Sequence, residues 1–249
     1  MNSDGDFKFT AMLRIRDEER WIERVIKSLL PLCEHVFVMD DHSKDNSADI
    51  VRSFDKERVH YLPSPFTKND LDESRDKNWL LDKVVDVEPE WILCIDGDEE
   101  LEIMGPEIIR ETAASAQWHS YTLRIVYLWD DETQMRVDGV YKTFNRPSMF
   151  YMENPSFRFR TTPFGGNLHC SSIPQELLHG VCPCPARLKH YGYIDEDLRM
   201  AKFHWYNKVD PNNKEEDCYR HIIQGDAGGP KADEKLKWAG PLKLESFVE

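Results

Sequence analysis

Apolar and polar positions form regular blocks over the first hundred residues, and the period of each block predicts an element. Residues 8–15 run apolar enough for a first strand. In residues 17–30, Trp21, Ile22, Val25, Ile26, Leu29 and Leu30 share one stripe, the spacing of a helix laid on a sheet. Pro31 ends that helix. Residues 35–39 form a second apolar run, followed by Asp40-Asp41-His42-Ser43-Lys44-Asp45-Asn46-Ser47, a polar break rich in helix-capping residues. Ala48, Val51 and Phe54 mark the next helix and residues 59–62 a third strand. Residues 71–85, carrying Trp79, Leu80 and Val84, read as a third helix, and residues 91–95 as a fourth strand. Strands alternating with helices in this way predict an α/β fold with a doubly wound, mostly parallel sheet flanked by helices.

Beyond residue 105 the pattern changes. A helix over 106–116 leads into aromatic, β-rich stretches at 120–129, 136–144 and 149–164. Residues 187–193 suit a last strand, and 195–209 and 215–224 suit helices. The expected organisation is one domain over residues 1–225, with a nucleotide-binding half at 7–104 and a β-rich, helical half at 105–225. The Gly-, Pro-, Lys- and Asp-rich residues 226–249 are expected to form a flexible or loosely docked tail.

Composition narrows the function. A formal net charge of −14 speaks against nucleic-acid binding, which needs a basic surface, but leaves anionic ligands open through a bound cation. No stretch approaches the roughly 18 apolar residues of a membrane span. The start Met-Asn-Ser-Asp-Gly-Asp lacks the basic and apolar regions of a secretory leader, so a cytoplasmic protein with reduced thiols is expected. Cys182-Pro183-Cys184, with His169, Cys170 and His179 nearby in sequence, matches no standard zinc spacing.

The chemistry concentrates at Trp91-Ile92-Leu93-Cys94-Ile95-Asp96-Gly97-Asp98-Glu99-Glu100. A buried strand here delivers Asp96 and Asp98 to the carboxyl end of the sheet, where open α/β sheets bind ligands. Hard carboxylate oxygens so placed suit Mg²⁺ or Mn²⁺ holding a diphosphate. Gly-x-Gly-x-x-Gly after the first strand and Gly-Lys-Ser/Thr are both absent, so a metal with carboxylates is the remaining route to phosphate. Asp40 or Asp41, ending the second strand, can accept from a base N–H or ribose hydroxyls; the alternative is that Asp41, Ser43 and Asp45 cap a helix.

These segments together resemble a family 2 glycosyltransferase of the GT-A fold. Arg14-Ile15-Arg16-Asp17-Glu18-Glu19 stands where that family has Asn-Glu, with Asp17 replacing Asn. The Asp40–Ser47 segment resembles its Asp-Asp-x-Ser-x-Asp motif, Ser74-Arg75-Asp76-Lys77-Asn78-Trp79 its Arg-Asn helix with Lys77 for Arg, and residues 91–99 its metal motif. Leu188-Lys189-His190-Tyr191-Gly192-Tyr193, followed by Arg199 and Lys202, resembles its late histidine segment.

The resemblance implies an inverting transfer of a sugar from a nucleoside-diphosphate sugar, most commonly UDP-linked, to a glycan, lipid-linked or small-molecule acceptor. It implies donor contacts from Arg14, Asp17, Glu18, Asp40, Asp41, Arg75, Asp96, Arg199 and Lys202, and Mn²⁺ or Mg²⁺ on Asp98, Asp96 and His190. Arg199 and Lys202 share a helix face and could equally be solvated, and His190 could be structural. The family's His-Glu pair is missing, since Cys170 follows His169, which leaves Glu176, Asp138 and Asp195 as candidate bases. Two other functions stay open: a nucleotidyltransferase acting on a sugar phosphate, and a non-catalytic nucleotide-sugar-binding module.

Overall fold

The computed structural model describes residues 7–68, 71–115, 117–160, 168, 170–212 and 217–249. The chain forms two compact units, one of residues 1–123 and 146–187 and the other of residues 124–145 and 188–249. The second unit is inserted in part, at residues 124–145, and completed by residues 188–249.

The first unit holds β1 (Phe9–Ile15), α1 (Ile22–Leu29), β2 (His35–Asp40), α2 (Ser47–Arg52), β3 (Val59–Pro63), α3 (Glu73–Val84), β4 (Trp91–Asp96), β5 (Glu99–Leu101) and α4 (Gly105–Ala114). β1 lies between β2 and β4, with β3 outside β2, and all four run parallel. The chain winds outward from β1 to β3 and then crosses back to β4, so the direction of winding reverses beside β1. In open α/β sheets this reversal leaves a crevice at the carboxyl ends of the strands. The register puts Asp40 beside Ile15 and Asp96 beside Arg14, so the charged ends of three strands finish level.

Both faces of these strands are covered, as their continuous apolar runs require. Met12, Phe37, Met39, Ile92 and Cys94 join Leu80, Leu81 and Val84 of α3 in one cluster, completed by Phe150, Phe157 and Phe159. Ile22, Val25, Ile26 and Leu29 of α1, the stripe read from the sequence, are fully buried. β6 (Ser120–Trp129), β8 (Asn145–Tyr151) and β9 (Cys182–His190) each have residues in both units. Within the first unit β8 runs antiparallel to β4, pairing Trp91 with Tyr151, Ile92 with Phe150 and Leu93 with Met149.

The second unit contains β7 (Asp131–Arg136), α5 (Glu196–Val209) and β10 (Leu244–Ser246). The strand expected over 136–144 is instead β7 followed by a 3₁₀ turn at Gly139–Lys142, and the helix expected over 215–224 is a 3₁₀ segment broken by positive φ at Cys218 and Tyr219. Gly139 has φ +47°, and a Cβ there would lie 2.2 Å from the Trp238 carbonyl oxygen, so only glycine fits.

Residues 226–249 are not a loose tail. β10 pairs with β7, Leu236 and Ala239 are buried with Trp129 and Tyr141, and Gln224 Nε2 donates to the carbonyls of Glu234 and Gly240 at 2.7 and 3.0 Å. Composition could not show this, because the anchoring is made by a few apolar residues and by backbone.

At the centre of this unit lies Arg136, whose guanidinium stacks over Trp129 and Tyr141 and pairs with both oxygens of Asp138 at 2.9 and 3.0 Å. Removing one partner of a buried pair strands the other charge. Arg136→Met is expected to lower unfolding stability by about 3–5 kcal/mol in urea titration, and a loss below about 1 kcal/mol would contradict this burial.

Candidate donor site at the sheet edge

The ends of β1, β2 and β4 and the start of α3 bring a set of ionic side chains together in the first unit. Arg14, near the end of β1, donates from Nη2 to Asp41 at 2.6 Å and from Nε to Asp76 at 2.8 Å. Arg16 lies 3.5 Å from the same Asp41 oxygen. Asp76, on the first turn of α3, is 1% exposed and also receives Arg75 Nε and Nη2 at 3.1 and 2.9 Å. The Arg75 guanidinium stacks on Phe66, 3.9 Å from the ring centre. Asp72 fixes the start of α3 by accepting the Arg75 backbone N–H at 3.0 Å.

The loops after β1 and β2 clasp each other through short polar residues. Asp17, at φ 57°, donates its N–H to Ser43 Oγ at 2.9 Å and accepts the Lys44 N–H at 2.6 Å. Glu18 and Glu19 donate their N–H groups to Ser47 Oγ and Asp45 Oδ2 at 2.8 and 2.9 Å. Asp40 accepts the Ser43 N–H and the Tyr61 hydroxyl, both at 2.9 Å. Asp40 and Asp17 therefore hold the loops, whereas Asp41 faces the arginines. No side chain caps the start of α2, so the capping alternative for this segment is not what the loop residues do.

β4 ends at Asp96, and the turn through Gly97 and Asp98 leads directly into β5. A Cβ at Gly97 would come within 2.7 Å of Ile15 Cγ2, so this glycine lets the turn pack on β1. Asp98 is 3% exposed, while the Asp96 side chain is half exposed. Arg146, at the start of β8, donates from Nη1 to Asp96 Oδ2 at 2.7 Å and from Nη2 to Glu99 Oε2. Glu99 Oε2 also accepts the Asp96 backbone N–H at 2.9 Å.

Environment separates these acids. Removal from solvent pushes the Asp96 carboxyl up, but Arg146 and Lys77 outweigh it and hold the group below the ordinary carboxylate range. Burial drives Glu99 up to about 7, with Asp96 and Asp98 adding to the rise and Arg146 opposing it.

The donor set suits a hard divalent cation. Asp96 Oδ1 is unbonded among the described residues, and Asp98 supplies a second carboxylate two residues on. Among the described residues no group of three or more His, Cys, Asp and Glu side chains is gathered to hold a metal. A cation held by one or two carboxylates takes its remaining ligands from phosphate and water.

The remaining expected residues have structural partners. Arg199 is 3% exposed and is committed to both oxygens of Asp226 at 2.6 and 2.7 Å, to Asp130 at 3.2 Å and to the Tyr193 carbonyl at 3.0 Å. It is a buried counter-ion of the second unit, which sets aside the solvated helix cation that was one of its two expected roles. Lys202 lies over Tyr193 on the same helix face of α5. His190 is buried against Tyr127 and Tyr193, with ring centres 5.0 and 4.7 Å away. Asp138 is bound to Arg136 and also accepts the Lys243 N–H at 3.1 Å, which removes it as a free base. Asp195 caps α5 through the Leu198 N–H at 2.9 Å. Glu176 accepts the Arg158 N–H at 3.3 Å and stays part-exposed. His169 lies outside the described residues, and Cys184 is buried against Thr112.

Sequence reasoning gave Glu99 no separate role and missed Asp76 and Arg146. Asp76 carried a signal, an acid beside Arg75 in a helix expected to face the site. Arg146 carried none, because its place follows from β8 pairing with β4 over a long separation.

The sequence profile of glycosyl transferase family 2 matches residues 13–164, more than half of the chain. No curated protein matches the chain. Among solved structures it is similar to Staphylococcus aureus TarS 1-349 in complex with UDP-GlcNAc, at 16% identity and a TM-score of 0.48 over 86% of this chain and 70% of that one. It covers 42% of a longer TarS chain, also at 16% identity and a TM-score of 0.48. It is also similar to glucosyl-3-phosphoglycerate synthase from Mycobacterium tuberculosis in complex with Mn²⁺, UDP and glucosyl-3-phosphoglycerate. That match has 16% identity and a TM-score of 0.35, over 50% of this chain and 46% of the other. No helix among the described residues is long and apolar enough to cross a membrane.

Asp76 is the shared counter-ion of Arg14 and Arg75. Asp76→Asn keeps the shape and removes the charge. It is expected to cost about 2 kcal/mol in denaturant unfolding, less than a fully buried pair because both guanidiniums keep some solvent. A variant as stable as the parent would show that Asp41 alone balances the arginines.

Proposed function

Because this chain belongs to glycosyl transferase family 2, we propose that it moves a sugar from a nucleoside-diphosphate donor to an acceptor hydroxyl at the carboxyl edge of β1, β2 and β4. Membership makes it a glycosyltransferase. The observation that carries the finer reading is the convergence of Asp41, Arg14 and Arg75 with Asp96 and Asp98 at one sheet edge. No glycine-rich loop is present to hold phosphate, which leaves carboxylates, arginines and a cation for that task.

In this reading Asp41 and Arg75 face the nucleoside, and Phe66, backed by the Arg75 guanidinium, offers an apolar wall. Asp98 and the open oxygen of Asp96 would hold Mn²⁺ or Mg²⁺, and that cation would supply a Lewis acid to neutralise charge on the departing diphosphate.

The acceptor oxygen attacks the anomeric carbon from the face opposite the diphosphate, so configuration inverts as the carbon–oxygen bond to phosphate breaks. The acceptor proton passes to a carboxylate. Glu176 is proposed for this role, because it is part-exposed in the unit that holds the donor edge, whereas Asp138 is bound to Arg136 and Asp195 caps α5. UDP is the first nucleotide to test, and a glycan, lipid-linked or small-molecule hydroxyl is the acceptor class.

A panel of UDP-, GDP- and dTDP-sugars, assayed for nucleoside-diphosphate release, tests the reading. Release is expected from one donor class with Mn²⁺ or Mg²⁺ and is expected to disappear in EDTA. Pyrophosphate release from a sugar phosphate and a nucleoside triphosphate would instead make the protein a nucleotidyltransferase. In the same assay Asp98→Asn is expected to reduce turnover by at least about 100-fold while the far-ultraviolet circular dichroism stays unchanged. Near-normal turnover in that variant at saturating Mn²⁺ would remove Asp98 from the cation.

A further inference from the structure

Arg146 lies far from every motif in sequence, yet it bonds two acids of the acidic turn, Asp96 and Glu99. The antiparallel ladder pairs Trp91 with Tyr151, Ile92 with Phe150 and Leu93 with Met149. Each step along β4 is one step back along β8, so the same register carried to the strand end sets Arg146 opposite Asp96. The side chain is then fixed at all three nitrogens. Nε donates to Ser148 Oγ at 3.4 Å, Nη1 to Asp96 Oδ2 at 2.7 Å and Nη2 to Glu99 Oε2. Ser148 is fully buried and donates its hydroxyl proton back to the Arg146 carbonyl at 3.1 Å.

Glu99 closes the ring. The oxygen that receives Arg146 also accepts the Asp96 backbone N–H at 2.9 Å. Asp96 is thus held twice, at its backbone through Glu99 and at one carboxylate oxygen through Arg146. Its other oxygen is unbonded among the described residues, and the side chain is half exposed. An aspartate flanked by Asp98 and Glu99 would otherwise swing away from like charge. The planar guanidinium suits this double task, because a fork of N–H groups reaches two carboxylates that a point charge cannot hold in one geometry.

We propose that Arg146 is a positioning residue for the donor site: it clamps Asp96 Oδ2, with Glu99 as its anchor, and so presents Oδ1 to the nucleotide and its cation. The inference rests on the proposed function, because it assigns the clamped edge to that donor. It reaches beyond that reading by tying donor affinity to a residue outside the donor-binding segments. It also limits Asp96 to one oxygen for ligand, which leaves Asp98 as the principal carboxylate of the cation.

The test compares the full chain with Arg146→Lys and with Arg146→Met/Glu99→Gln. The double variant removes the buried Glu99 charge and the part-buried Arg146 charge together, and the glutamine oxygen can still accept the Asp96 N–H. Calorimetric titration with UDP, GDP and dTDP in Mn²⁺ reads affinity, and thermal unfolding reads the fold. The double variant is expected to melt close to the parent yet bind the nucleotide about 10- to 100-fold more weakly. Arg146→Lys, which keeps a charge beside Asp96, is expected to recover part of that loss. Parent-like affinity in a folded double variant would overturn the proposal, since Arg146 would then serve only to neutralise Glu99. If the double variant does not fold, parent-like affinity in Arg146→Lys overturns it in the same way. If the unaltered protein binds none of the three diphosphates with Mn²⁺, the donor reading itself falls, and the proposal with it.

Discussion

Carboxylates crowded at the end of a parallel sheet repel one another, and the guanidiniums set among them make the arrangement tolerable. Asp41 and Asp76 are bridged by Arg14, Asp76 is bound again by Arg75, and Asp96 and Glu99 share Arg146. Arg14 and Arg146 each serve two carboxylates. At surface dielectric a pair of unit charges at about 4 Å interacts by about 4 kcal/mol, so unbalanced acids here would protonate or move apart. The balance leaves part of the Asp96 carboxylate open toward solvent. The proposed diphosphate donor would meet a site whose own charges are settled before it arrives.

The winding of the chain creates that crowding. Strands that run parallel all finish on one edge, and the reversal beside β1 keeps a helix from closing over the ends of β1 and β4. Register then decides which residues meet. Asp96 stands beside Arg14 because β4 pairs with β1 without offset, and Arg146 stands opposite Asp96 because β8 returns antiparallel. The Asp17–Ser43 and Glu18–Ser47 contacts hold the two neighbouring loops at fixed spacing. The geometry of the site is therefore set by backbone pairing and loop clasps, with side-chain chemistry placed on top.

Much of the first unit was legible in the chain. Apolar period located β1 to β4 and α1 to α3 within a few residues, because a buried parallel strand and an amphipathic helix each leave a local signature. The acids at Asp41, Asp96 and Asp98 were legible for the same reason, as they follow directly on apolar runs. What local pattern could not carry was division of labour and long-range pairing. Asp40 and Asp41 are neighbours with one composition, yet Asp40 ties down Ser43 and Tyr61 while Asp41 faces Arg14. Arg199 looked like a solvated helix cation or a phosphate contact, but Asp226, a residue of the supposed tail, encloses it. That tail is anchored by the strand Leu244–Ser246 and by Leu236, too few residues to show a period. Arg146 depends on a strand pairing that joins residues far apart in the chain.

The proposed function requires a divalent cation at the β4 edge to join this protein to a nucleoside diphosphate. Anomalous diffraction from crystals grown with Mn²⁺ and UDP tests it most directly. A manganese peak about 2–2.5 Å from an Asp98 carboxylate oxygen, with the diphosphate on its other side and Asp96 Oδ2 still on Arg146, is the expected result. Ordered UDP at this edge without manganese, or manganese bound elsewhere with the edge empty, would contradict it.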